Sequence, residues 1–388
     1  MSSSSISKRS WSSSSVGRCG RSTTCPFRPA AQSDTPGAGA AGLASLGAVE
    51  HLGLVGLADS GHAELFRALT GMDVAHAADR VLGVVALPDD RLDALATMSA
   101  SKRTVYATFQ IAYLPGLSTE AGKGLGSRLL GSLRDCDALM LVVRAADGND
   151  PARDLRALED ELVLADLGSV EQRLAKQQRA LKGDRSLAGE IAALERAEAV
   201  LSEGEPIYRS DLTADERALL APVFLLTNKP ALVVVNVDID QLDRADAVAA
   251  GFGADALAVC VEIEGDPDVV AAEGAERATL LADLGVAESV VPRLARSALA
   301  MLGKATFLTT GDKESRAWIF RVGAAAPECA GVIHSDLQRG FIRAEVIDWQ
   351  ELLEVGSWAR AKDAGTLRVE GKDYRFVDGD VVEIRFNV

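Results

Sequence analysis

The chain has 388 residues, 48% of them hydrophobic and 25% charged, enough to bury large cores in two or three domains. Its formal charge of −15 excludes a general nucleic-acid coat, which needs a basic face. No apolar run approaches the roughly 20 residues of a membrane-spanning helix.

Residues 1–47 come first and differ from the rest. Ser2–Ser5 and Ser12–Ser15 mix with Lys8, Arg9, Arg18, Arg21 and Arg28, no acid precedes Asp34, and the Gly/Ala stretch Gly37–Gly42 follows. Such a composition buries too little apolar surface to fold, which predicts a disordered tail or a start codon assigned too early. An acid-poor, Ser/Arg-rich start also fits an organellar transit peptide.

At Leu52–Val55 a short apolar strand runs into Gly56-Leu57-Ala58-Asp59-Ser60-Gly61-His62-Ala63, and a helical pattern follows from Glu64. Strand, glycine loop and helix make the frame of the phosphate-binding motif G-x-x-x-x-G-K-[ST]. There the lysine reaches the phosphates and the hydroxyl holds Mg²⁺. His62 stands in the lysine place and Ala63 in the hydroxyl place, so the cradle is kept and its two working side chains are replaced.

Further strands are expected at Val81–Val85, Ala107–Ala112, Ala138–Val143, Ala231–Val235 and Ala256–Val261, alternating with helices as in a parallel α/β sheet. Between the fourth and fifth strands lie two helical runs, one with Leu155, Leu158, Leu162, Val170 and Leu174, the other with Leu187, Ile191, Leu194 and Leu201. With Gly183 between them they predict an antiparallel helical hairpin. From Thr306 onwards Ala317–Val322, Phe341–Val346, Tyr374–Phe376 and Val381–Phe386 alternate in and out, and Asp378-Gly379-Asp380 reads as a hairpin turn joining the last two. The five cysteines (Cys19, Cys25, Cys136, Cys260, Cys329) are an odd, scattered set that fits reduced thiols, and the four histidines (His51, His62, His76, His334) lack metal-ligand spacing.

Ala330-Gly331-Val332-Ile333-His334-Ser335-Asp336, Gly340–Val346, Gly371–Tyr374 and the closing Arg385-Phe386-Asn387-Val388 resemble signatures of the YchF/Obg-like ATPase family. Val81–Leu92 and Glu161–Leu167 extend the likeness, which covers residues 50–388. The resemblance implies a Ras-like P-loop NTPase domain (48–154 and 206–304), a helical coiled-coil arm inserted in it (155–205) and a C-terminal TGS domain of α+β type (305–388). It also implies ATP or GTP with Mg²⁺ as cofactor, and the ribosome or translation factors as partners in the cytoplasm. RNA contact through the TGS domain goes with it, with neither membrane nor DNA involved.

Against that family, each nucleotide motif departs. The Mg²⁺-linked threonine of switch I falls on Ala77, and the D-x-x-G element on Tyr113-Leu114-Pro115-Gly116, which keeps only Gly116. The base-specificity motif N-x-x-E falls on Asn236-Val237-Asp238-Ile239, and the backbone contact to the base falls near Cys260-Val261. Gly56, Asp59, Ser60, Gly61, His62, Ala63, Gly116 and Asn236 are therefore a degenerate nucleotide site with no catalytic residue. The positions linked to Mg²⁺ hold Ala63, Ala77 and Tyr113, so no metal is expected. His62 reads as a solvated loop residue, since its ordinary pKa leaves it neutral at pH 7. Lys123, in the glycine run Gly122–Gly126, reads as part of a mobile loop.

His334, Arg339, Phe341 and Arg343, in the intact C-terminal signature, are the candidates for partner contact, although Phe341 and Trp318 also suit a core. The sequence thus points to a ribosome-associated binding module that has lost nucleotide chemistry and needs no cofactor. The alternative is an enzyme with residual ATP or GTP binding and hydrolysis.

Overall fold

The computed structural model describes residues 51–115, 127–146, 148–181 and 183–387; the expected N-terminal tail, Gly116 and Lys123 lie outside them. Strands β1 (His51–Gly56), β2 (Val81–Leu87), β3 (Thr104–Val105), β4 (Ala107–Tyr113), β5 (Ala138–Ala145), β6 (Ala231–Val237) and β7 (Leu257–Val259) come first. Six of them form a sheet in the order β2-β4-β1-β5-β6-β7. β1, β5 and β6 are apolar along nearly their whole length and buried on both faces, as central parallel strands must be. β2 departs from the expected parallel pattern. It alternates buried and exposed residues and runs antiparallel to β4 as an edge strand, which needs only one apolar face.

Helices α1 (His62–Thr70), α2 (Asp90–Met98) and α3 (Ser127–Arg134) follow β1, β2 and β4 in the chain. The expected hairpin is formed by α4 (Pro151–Ala180) and α5 (Ala188–Ser202). Asp150 caps α4 by accepting from the Arg153 amide at 3.0 Å, with Pro151 suited to the first turn. Val170, Leu174, Ile191, Leu194, Ala197 and Leu201 make the apolar seam between the two helices. Glu190 stitches it on the polar side, accepting from Arg173 at 2.7 Å and Gln177 at 2.8 Å.

β8 (Lys304–Thr309), β9 (Ser315–Arg321), β10 (Phe341–Asp348), β11 (Arg368–Glu370) and β12 (Asp380–Phe386) make a second, mixed sheet in the order β11-β10-β12-β8-β9-β3. Two expectations fail here. Tyr374–Phe376 is not a strand: Tyr374 and Phe376 pack in an aromatic cluster with Phe307 and Phe320, and Arg375 makes one isolated bridge to Ala325. Nor does Asp378-Gly379-Asp380 close a hairpin, because β12 pairs antiparallel with β10 and parallel with β8. The turn docks on β8 instead, where the Thr306 amide donates to Asp378 at 2.9 Å and the Gly379 amide to the Thr306 carbonyl at 2.9 Å. β3 lies early in the chain yet joins this sheet beside β9. One apolar core therefore runs from Leu54 and Phe66 through Leu92 and Leu95 to Leu308, Ile347 and Val381.

Candidate functional site

The loop between β1 and α1 leaves the sheet at the carboxyl end of a central strand, where open α/β sheets bind ligands. Two left-handed residues shape it, Asp59 with φ 65° and Gly61 with φ 86°. A Cβ at Gly61 would come within 2.3 Å of Asn236 Nδ2 and 2.7 Å of Val261 Cγ2, so only glycine fits. At Gly56 a Cβ would fall 2.1 Å from Ser60 Oγ and 3.0 Å from His62 Nδ1, because both side chains fold back over the end of β1.

His62 opens α1 and is only 5% exposed, which corrects its reading as a solvated loop residue. Its Nδ1 shares a 2.9 Å hydrogen bond with Ser60 Oγ, and its ring stacks on Tyr113 with centroids 5.2 Å apart and planes 12° from parallel. Tyr113 ends β4, opposite Leu54 of β1, and is itself buried with Phe66 tilted against it at 5.6 Å. Tyr113 thus offers a flat apolar face, and the neutral imidazole covers it. Burial lowers the His62 pKa; the Leu114 backbone and the Glu64 charge oppose this without reversing it. Leu114 does not reach hydrogen-bond geometry, so Nε2 is a buried nitrogen with no partner. Burial likewise raises the Tyr113 pKa.

The remaining positions are apolar or structural. Ala63 and Ala77 are half-buried against the core, and the Ala77 amide donates to the Val74 carbonyl at 2.9 Å. Asn236 is 5% exposed. Its Nδ2 donates to the Ser60 carbonyl at 3.1 Å, and its Oδ1 accepts from the Val261 amide at 3.3 Å. It therefore ties the loop to the turn after β7, bringing Ser60, Gly61, His62 and Asn236 together. Ile239 points outward, 46% exposed, and Asp238 pairs with Arg144 at 3.3 Å. Ser60 and Tyr113 acquire a role that the motifs alone did not suggest. The signal for it was that His62 and Tyr113 are substituted together.

Of the C-terminal candidates, His334 is exposed and uses Nδ1 to accept from the Asp336 amide at 3.1 Å, capping a short helix. Arg339 pairs with Asp336, and Arg343 lies 3.8 Å from Glu345 with its side chain about half exposed. Phe341 is only 4% exposed and sits in the core with Phe307 and Phe376, so it offers no surface for a partner. A further feature escaped the sequence reading. Arg91 donates to Asp89 at 2.8 Å, to Asp378 at 2.7 Å and to Thr306 Oγ1 at 2.9 Å, joining α2 to the second sheet.

Residues 305–387 match the YchF-GTPase_C family model, described as a protein of unknown function (DUF933). The chain is 37% identical over 363 residues to the ribosome-binding ATPase YchF of Bacillus subtilis, covering 87% of this chain and 99% of that one. It is 38% identical over 360 residues to the protein of the same name from Pasteurella multocida, with the same coverage of 87% and 99%. The structure of the Schizosaccharomyces pombe YchF GTPase superposes with a TM-score of 0.76 at 26% identity, covering 87% of this chain and 98% of that one. Glycine loop, inserted helical hairpin and C-terminal mixed sheet agree with these likenesses, and the chain belongs to the YchF family.

Proposed function

We propose that this YchF-family chain is a ribosome-associated binding module of the cytoplasm that neither holds nor hydrolyses nucleotide at physiological strength. In this reading 48–154 and 206–304 form a scaffold with the P-loop fold. The arm (155–205) and the TGS domain (305–388) meet the partner. Relatives named ribosome-binding ATPases support the association.

The observation that carries the loss of nucleotide chemistry is the stack of His62 on Tyr113. A Mg²⁺-bound triphosphate needs a cation, a hydroxyl and an acid around it. The corresponding places hold a buried neutral imidazole, the methyls of Ala63 and Ala77, and a phenol, so these residues do not fit the group. Each lost charge-assisted contact is worth roughly 1.5–3 kcal/mol. Three such losses outweigh what loop amides alone supply. The left-handed backbone of the loop at Asp59 and Gly61, with relatives named ATPases and a solved neighbour named a GTPase, favours the second reading, residual ATP or GTP binding.

Co-sedimentation of the full chain with ribosomes tests the proposal. Binding is expected to be the same with and without ATP or GTP, and to weaken when Arg339 and Arg343 are both changed to Glu. Binding that requires added nucleotide would favour the ATPase reading.

A further inference from the structure

At the end of the first sheet opposite the glycine loop, a cleft of about 1230 Å³ lies between α3, the C-terminal half of α4 and the segment before β6. Its charge runs against that of the chain. Arg134, Lys176, Arg179 and Lys229 line it, in a protein of formal charge −15. Lys176 and Arg179 are exposed one turn apart on α4, with no ion-pair partner among the described residues. Arg134 donates to Ser169 Oγ at 3.0 Å and Lys229 to the backbone carbonyls of Arg134 and Cys136; neither makes a salt bridge among the described residues, while Asp166 acts through space on both and Asp135 and Asp137 on Lys229. Two acids also line the cleft, Asp135, which pairs with Arg80 at 3.6 Å, and Asp137, which accepts from the His51 amide; the five cations Arg134, Arg173, Lys176, Arg179 and Lys229 outnumber them.

Phe224 stands at the rim, 64% exposed and held at φ 56°. A bulky non-glycine residue in the left-handed region is strained, and such strain persists where surroundings enforce it. Here the enforcement is visible. Asp166 of α4, fully buried, accepts from the amides of Leu226 at 2.9 Å and Thr227 at 2.7 Å and from the Thr227 hydroxyl at 2.7 Å. The arm thus fixes the segment that carries both the exposed ring and Lys229.

We propose that this cleft is a binding site for unpaired RNA, its phosphodiesters held by Arg134, Lys176, Arg179 and Lys229 and one base stacked on Phe224. A row of cations beside an exposed aromatic ring is the arrangement that binds single strands, the cations tracking the backbone and the ring taking a base face of any sequence. On the ribosome-binding reading, on which this site rests, the ligand is an unpaired stretch of ribosomal RNA.

The test is fluorescence anisotropy of a labelled ten-nucleotide oligoadenylate with the full chain, over a salt series, with ribosome co-sedimentation run in parallel. Wild type binds the oligonucleotide. Lys176→Glu with Arg179→Glu weakens binding at least tenfold. Loss of two cations also flattens the slope of log affinity against log salt by about 1.4. Phe224→Ala weakens binding about tenfold and leaves that slope unchanged. Both variants keep the wild-type melting temperature. Absence of oligonucleotide binding by wild type, an unchanged affinity in both variants, or equal competition by polyglutamate of matched charge overturns the site. Ribosome co-sedimentation that persists in any of those cases leaves the broader functional reading standing, whereas oligonucleotide binding without co-sedimentation removes that reading and keeps the site.

Discussion

Two substitutions that look independent in the sequence, His62 and Tyr113, are one structural event, a buried ring pair at the end of β1. Restoring the motif at one end does not undo it. His62→Lys with Ala63→Ser is expected to show no ATP hydrolysis above background in a phosphate-release assay, because Ala77 and Tyr113 still leave Mg²⁺ without its ligands. The buried imidazole also gives the site a pH signature. Its folded pKa lies below the ordinary 6.5, so at mildly acid pH the unfolded chain binds more protons at this residue than the folded chain does. Its effect on stability is therefore a loss as pH falls below about 6.5, ending once the folded pKa is passed. His62→Phe should lose less melting temperature than wild type between pH 7.5 and 5.5; an equal or larger loss would argue against a buried neutral His62. The place of His62 in the motif was legible from spacing, and that of Tyr113 from the family resemblance. What fills the site was not, because it depends on the β1–β4 register, which sets Leu54 against Tyr113.

The helical hairpin is the element the sequence described best, since its apolar positions repeat at helical spacing and Gly183 marks the break. Its hold on the rest of the protein was less visible. Asp166, within the Glu161–Leu167 stretch that resembles the family, is fully buried and accepts three hydrogen bonds from Leu226 and Thr227. Burial pushes its pKa up, and those three bonds oppose the shift. Asp166→Ala leaves two amides and a hydroxyl buried without an acceptor, which should cost about 2–4 kcal/mol in denaturant unfolding. A loss under 1 kcal/mol would mean that the segment is held by other contacts. At Tyr374–Phe376 the cause is the reverse: the alternating aromatics mimic strand periodicity but serve a ring cluster around Phe307.

Over the whole molecule, the C-terminal block was legible by its resemblance to the family's signature, but its attachment was not. β3 and α2 come early in the chain and meet the second sheet, β3 beside β9 and α2 through Arg91 to Asp378 and Thr306. Contacts separated by 287 and 215 residues leave no local pattern to read. Arg91→Ala should cost about 1–3 kcal/mol and speed amide exchange at Thr306 and Gly379. Unchanged exchange there would show that the shared apolar core alone fixes the two sheets together.

The claim that the glycine loop no longer serves nucleotide is tested most directly by calorimetric titration of the full chain with ATP and with GTP in Mg²⁺. No binding tighter than about 100 μM, roughly −5.5 kcal/mol, is predicted for either. A tighter dissociation constant, with a matching rise in melting temperature, would contradict the account.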